Sequence, residues 1–407
     1  MTTYNYTISP IPYNGGNMIF TAAGYNNHMC CLYTNSTTSR FFAIFGQQNP
    51  NYAFGAILDM TGSYLNSAST LAVTTQKVID QQYYYDQVRC IRLSNSSVLV
   101  LAHRYNSSDQ IVAYVYTIDG SNNISLAWSQ ANFLPNQSFS VFQMYASNSY
   151  PVNVKIYPEI GVDNQFWIAS LEGYQYCLYR YIYNAASPSM TTLAVSSVLA
   201  YGYGNNASAQ EPFLTKIQDT GNYLFQVRYN TSTGWQSGYV ANGSNSYAQV
   251  ITAGTYTLSY TLPYSPGPLT YIIPLQEHNM LGMSSSGNTL YTYNGTSWSP
   301  ASTTYNAQTG NYVNQGIALD AYYALLMAEP GGSRNNLYFQ VIRYDTATFI
   351  ESSPPTASGY GLPIFSSGYC TPYNDDMFYY QIDSQTFMFL GSAQNSNRFE
   401  VQVVHAS

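Results

Sequence analysis

Residues 87–120 read QVRCIRLSNSSVLVLAHRYNSSDQIVAYVYTIDG. Three short apolar runs lie in this stretch: Gln87–Leu93, Val98–Leu101 and Ile111–Ile118. Ser, Asn and Asp residues separate them. A short continuous apolar run bounded by turn residues suits a strand buried on both faces. The middle run has counterparts along the whole chain, at Phe41–Ile44, Phe166–Ala169, Tyr223–Gln226, Met280–Met283, Leu325–Met327 and Phe387–Leu390. The steps between them run from about 45 to about 68 residues, near or somewhat above the spacing of propeller blades.

The neighbouring strands repeat with the middle one. An apolar run precedes it at Val152–Tyr157, Phe213–Ile217 and Leu269–Leu275, and another follows at Tyr52–Leu58, Tyr176–Tyr183 and Leu337–Arg343. A weaker fourth strand comes last. The tetrapeptide TLAV falls there twice, at Thr70–Val73 and Thr192–Val195. Asp119-Gly120, Asn242-Gly243 and Asn294-Gly295 are tight-turn candidates, and Asp219–Asn222 (DTGN) is a longer one. Such pairs tolerate the positive φ that two-residue hairpins need. The last unit lacks a fourth strand, while Thr3–Ile8 (TYNYTI) belongs to no unit of its own. The N-terminal strand is therefore expected to complete the last blade and close the ring, which removes an exposed sheet edge.

The pattern predicts an all-β chain: a β-propeller of seven four-stranded blades. Residues 1–407 form one domain in this reading, and residues 1–12 form the closing strand of the last blade. The fifth unit is the shortest, and Ala253–Pro268 before it has room for an extra hairpin.

Charged residues make up 8% of the chain, against about 25% in ordinary domains. Lysine occurs only at Lys77, Lys155 and Lys216. A surface of hydroxyls and amides hardly changes with pH. Acid creates little positive charge on a chain with 12 basic residues, so acid tolerance is expected. With a formal charge of -7 and no basic stripe, nothing favours nucleic acid. No apolar stretch approaches the about 20 residues of a membrane span, so no membrane insertion is expected. Met1–Pro10 (MTTYNYTISP) lacks the basic start and apolar core of a signal peptide.

No motif for catalysis, metal or cofactor stands out. His28, His103, His278 and His405 are scattered, without metal-ligand spacing. The cysteines Cys30, Cys31, Cys90, Cys177 and Cys370 read as buried thiols, with one long-range disulfide or a Cys30–Cys31 bridge as alternatives. Asn374-Asp375-Asp376 is the densest acidic cluster and reads as a solvated turn. Arg-Tyr recurs at Arg104, Arg180, Arg228 and Arg343, which suggests arginine stacked on tyrosine between blades. About ten N-x-S/T sequons occur, Asn35 among them, and the turn sequons Asn106, Asn230 and Asn294 are the expected glycosylation positions.

Tyrosine is the remaining candidate, at 44 residues. Its ring stacks on sugars and its hydroxyl bonds to theirs. Tyr174, Tyr201, Tyr203, Tyr264 and Tyr373 are the expected ligand-binding residues.

The strand repeat resembles that of seven-bladed propellers, although the WD and kelch signatures are missing. In composition the chain resembles virion or surface proteins of extremophilic archaea and their viruses. The sparsely charged polar surface, the tyrosine-rich loops and the absence of catalytic motifs favour a non-enzymatic binding module, an adhesin recognising a glycan or protein surface, extracellular or on a virion. Two further readings stand beside it: a carbohydrate-active enzyme with carboxylates near the central channel, and a structural subunit of a larger assembly.

Overall fold

A computed structural model describes thirty-one strands between Tyr6 and Ala406. It also describes the connecting residues 35, 37, 62, 81–83, 95–96, 111, 119–123, 131–134, 159, 161–164, 185–188, 217 and 221–222. None of the described residues is helical.

β1 (Tyr6–Ile11) precedes a first sheet of β2 (Asn27–Thr34), β3 (Thr38–Gln47), β4 (Tyr52–Thr61) and β5 (Thr70–Asp80). The second sheet is β6 (Tyr85–Ser94), β7 (Ser97–Arg104), β8 (Val112–Ile118) and β9 (Ile124–Gln130). The third is β10 (Val154–Pro158), β11 (Gln165–Glu172), β12 (Gln175–Asn184) and β13 (Ser189–Leu193), with the short β14 (Val198–Ala200) also on β12. The fourth holds β15 (Gln210–Lys216) and β16 (Tyr223–Thr231), a side branch β17 (Gly234–Ser237), then β18 (Ser246–Ile251) and β19 (Leu258–Pro263). The fifth is β20 (Tyr271–Gln276), β21 (Asn279–Ser284), β22 (Gly287–Tyr293) and β23 (Trp298–Tyr305). The sixth is β24 (Asn311–Ala318), β25 (Tyr323–Pro330), β26 (Tyr338–Arg343) and β27 (Thr348–Ile350), with β28 (Leu362–Pro363) also on β26. The seventh is β29 (Phe378–Asp383), β30 (Thr386–Ala393) and β31 (Arg398–Ala406). Its fourth strand is β1, antiparallel to β31 from Tyr6 opposite Ala406 to Ile11 opposite Val401.

The apolar runs that repeat in the sequence are the second strands β3, β7, β11, β16, β21, β25 and β30. The first strand of each sheet packs on that of the next from β2 through β24, and β2 also packs on β29 and β30. The fold is an all-β propeller. Alternation along β7 shows why its run is continuously apolar. Val98, Val100 and Ala102 enter a core shared with the first sheet, whereas Leu99 and Leu101 enter one shared with the third. A strand covered on both faces reads as a near-continuous apolar run.

Polar joints tie the sheets as well. Arg92 of β6 donates from Nε to the Leu32 carbonyl of the first sheet (2.7 Å) and pairs with Asp163 of the β10–β11 turn (2.7 Å). The Asn164 N–H of the same turn donates to the Leu93 carbonyl.

Several local expectations shift. Thr70–Val73 opens β5, whereas Thr192 and Leu193 end β13, so the twin tetrapeptides sit at different heights. Asp119-Gly120 is part of a five-residue loop, and Asn122 rather than the glycine takes the positive φ, 64°. The Asp119 carboxylate sets that loop by accepting from the Ser121 and Asn123 N–H groups. Gly221 takes φ 71° as a turn glycine should. Asn242-Gly243 and Asn294-Gly295 lie outside the described residues. Leu258–Pro263, in the stretch with room for a hairpin, is the outer strand of the fourth sheet, and the extra strand is β17. Cys30, Cys31, Cys90 and Cys177 are buried and in no disulfide, while Cys370 lies outside the described residues.

Each sheet has two edges across its strands. In the second sheet Tyr85 lies opposite Arg104, Ala102 opposite Val112 and Ala113 opposite Gln130. The second-to-third connection and the links to neighbouring sheets leave from that edge. The first-to-second hairpins, such as that at Ser94–Ser97, turn at the other.

Candidate functional site

The first edge of the second sheet carries a compact aromatic cluster around Arg104. Arg104 ends β7 on the face that carries Val100 and Ala102, toward the first sheet. Its Nε donates to the Tyr114 hydroxyl at 2.5 Å. Its guanidinium carbon lies 4.9 Å from the Tyr83 ring centre and 5.4 Å from that of Tyr114. Tyr114 stacks between Tyr85 (5.5 Å) and Tyr116 (5.9 Å). Tyr83 and Arg104 are half-buried, while Tyr85, Tyr114 and Tyr116 are buried.

Asp80, the last residue of β5, shapes this cluster from the first sheet. Its Oδ1 accepts from the N–H groups of Gln82 (2.9 Å) and Tyr83 (3.1 Å), an Asx turn that brings the chain back toward Arg104. Its Oδ2 accepts from the Tyr85 hydroxyl at 3.3 Å. Burial pushes the Tyr85, Tyr114 and Tyr116 hydroxyls above their ordinary range, so all three stay protonated. The cluster therefore holds stacked aromatic rings, neutral hydroxyls and one cation, of which Tyr83 and Arg104 are half-buried, and these phenols do not change with ordinary pH.

A second polar cluster joins the third and fourth sheets. Glu159 follows β10 and is 8% exposed. The indole N–H of Trp167 donates to its Oε2 at 2.7 Å, and the Tyr223 hydroxyl of β16 donates to its Oε1. Arg180 Nε lies 3.7 Å from Oε2, and its guanidinium sits over Trp167 and bonds Gln165. Each of these partners of Glu159 is a donor or a cation. A glycosidase needs a second carboxylate across a substrate, and none of these contacts supplies one. Among the described residues no group of His, Cys, Asp and Glu could hold a metal ion.

Arg104 and Arg180 of the Arg-Tyr pairs stack on rings distant in sequence. Arg180 lies over Trp167, whereas Tyr181 packs on Phe166 and Phe133 on the opposite face of β12. Strand alternation sends adjacent side chains apart.

Of the sequence-predicted site residues, Tyr174, Tyr201, Tyr203, Tyr264 and Tyr373 lie outside the described residues, as do Asn106, Asn294 and the cluster Asn374–Asp376. Asn230 lies in β16 opposite Trp235. Sequence reasoning missed Tyr83 and Asp80. The signal was the run Asp80–Asp86 (DQQYYYD), whose tyrosines follow a turn-forming aspartate.

No family model matches the chain, and no curated protein matches it. Two solved structures are similar. One is a protein from Lactobacillus plantarum, 11% identical, covering 86% of this chain and 95% of its own, with a TM-score of 0.44. The other is the β-propeller domain of the Trilobed protease from Pyrococcus furiosus, described as having an open velcro topology. It is 9% identical, covers 95% of this chain and 96% of its own, and has a TM-score of 0.43.

Proposed function

We propose that this protein is a non-enzymatic binding module, an adhesin that recognises a glycan or protein surface from outside a cell or on a virion. A propeller suits binding or structural work in general. The observation that carries the finer reading is the half-buried Arg104 guanidinium between the Tyr83 and Tyr114 rings. It lies at the edge from which second-to-third and sheet-to-sheet connections leave.

Tyr174 falls in sequence between β11 and β12. Tyr201 and Tyr203 fall between the third and fourth sheets, Tyr264 between the fourth and fifth, and Tyr373 between β28 and β29. Each of these intervals is bounded by strand ends at the matching edge of its own sheet. In this reading the five tyrosines supply, with Tyr83 and Arg104, one aromatic binding face.

The test is a glycan-array screen of the full chain at neutral and acid pH, with Tyr83→Ala beside it. Saturable binding to one sugar class that falls in the folded variant supports the reading. A folded chain that binds no glycan and no cell surface but assembles into large oligomers would move the function to a structural subunit.

A further inference from the structure

We infer that Asn35, at the tip of the β2–β3 hairpin, is an N-glycan attachment site. Asn35-Ser36-Thr37 is a sequon, and Asn35 is exposed. Its Oδ1 accepts from the N–H groups of Thr37 (2.9 Å) and Thr38 (2.9 Å). It accepts from the Thr37 hydroxyl (2.9 Å) and the Thr38 hydroxyl (3.2 Å) as well. A backbone N–H can only donate, so these bonds fix which end of the amide faces the turn. The oxygen points in and Nδ2 points away, with no bond to any described residue.

The hairpin holds this arrangement. The Asn35 N–H donates to the Thr38 carbonyl, and Thr34 and Ser39 face each other across the strands with their hydroxyls 2.5 Å apart. The sequon hydroxyl is thus already bonded to the acceptor amide, in an Asx turn at an exposed tip.

The sequons at Asn95 and Asn123 are not presented this way. The Asn95 oxygen accepts from Arg92, and its Ser97 is buried with its hydroxyl 2.7 Å from that of Ser94. The Asn123 Nδ2 donates to Asp119 at 2.9 Å. Asn230 of β16 lies opposite Trp235 of β17, and its side chain is outside what the structure describes.

The donor would be an oligosaccharide carried on a polyprenyl diphosphate. A bond forms between Nδ2 and the anomeric carbon as the anomeric C–O bond to the diphosphate breaks. The diphosphate leaves with the electron pair, and one amide proton passes to a base on the transferase. The hairpin turns at the edge opposite the Arg104 edge, so a bulky surface sugar there leaves the aromatic face open.

The folded full chain should be incubated with a purified oligosaccharyltransferase and its lipid-linked donor. The preparation is one first shown to modify a synthetic peptide of residues 31–41. Peptide mass spectrometry is expected to find the glycan on Asn35 and none on Asn95 or Asn123. Thr37→Ala should bring Asn35 occupancy to background with unchanged melting, and Thr37→Ser should retain it. An unmodified Asn35 on the folded chain overturns the inference.

Discussion

Gly46 of β3 lies so close to the backbone of Tyr85 in β6 that a side-chain carbon at position 46 would overlap the Tyr85 carbonyl oxygen. The first two sheets meet there backbone to backbone. Gly46→Ala must push β6 away and with it the start of the Arg104 cluster. We expect a loss of about 1–3 kcal/mol, the usual cost of overpacking. A urea melt at neutral pH with an unchanged midpoint would show that the sheets do not approach this closely.

His28 makes acid matter even to a sparsely charged chain. Its Nδ1 accepts from the Cys90 N–H at 3.1 Å, across the joint between the first two sheets. Burial lowers its pKa to about 3, helped by the positive charge of Arg89. The unfolded chain therefore takes up this proton first as pH falls. The contribution of neutral His28 is full above about pH 6.5 and declines toward about pH 3, by at most about 1.4 kcal/mol per pH unit. Stability curves of the parent and His28→Gln, measured from pH 7 to pH 3, should diverge in slope. Parallel curves would leave the expected acid tolerance unopposed by this residue.

Glu159 is the acceptor on which two sheets converge. Glu159→Ala leaves the Trp167 and Tyr223 donors without it, and we expect a cost of about 1–3 kcal/mol. Tyr223→Phe should cost about 1 kcal/mol. The double variant should fall short of the sum, because both changes remove one contact. Additive melting data would mean that the tyrosine and the carboxylate act separately.

Arg104→Lys keeps the charge and loses the flat stack and the Nε bond to Tyr114. A cost of about 1 kcal/mol is expected. The near-ultraviolet circular dichroism of the tyrosine stack should weaken in this variant. An unaltered spectrum would show that the rings hold their places without the guanidinium.

Removing residues 1–11 deletes β1 and bares the edge of β31. A lower melting temperature and concentration-dependent aggregation are expected, since an open edge pairs with other chains. Light scattering that stays monomeric at the highest soluble concentration would contradict this.

The strand repeat was legible because burial on both faces leaves a continuous apolar run, as along Val98–Ala102. The pairing of β1 with β31 was legible from one strand missing at the end and one spare at the start. Heights within a sheet were not: Thr70–Val73 and Thr192–Val195 share letters, yet cross-strand partners set their register. The Asp119 loop misled because the positive φ went to Asn122, where the Asp119 carboxylate organises the backbone. The arginine stacks depended on which strands face each other, so Arg180 found Trp167 rather than the adjacent Tyr181. Asp80 and Tyr83 carry no motif, and the Asx turn at Asp80 together with the pairing of Tyr85 with Arg104 brings them to that residue.

Tyr6 and Ala406 are register partners in one sheet. A short peptide joining them would give a circular chain in which no sheet is first or last. The Asp119–Asn123 loop could then be cut to make new termini, as a circular permutant. Because the joined ends lie at the edge of the seventh sheet where β29 turns into β30, the protein could be tethered to a surface there with its aromatic face turned outward.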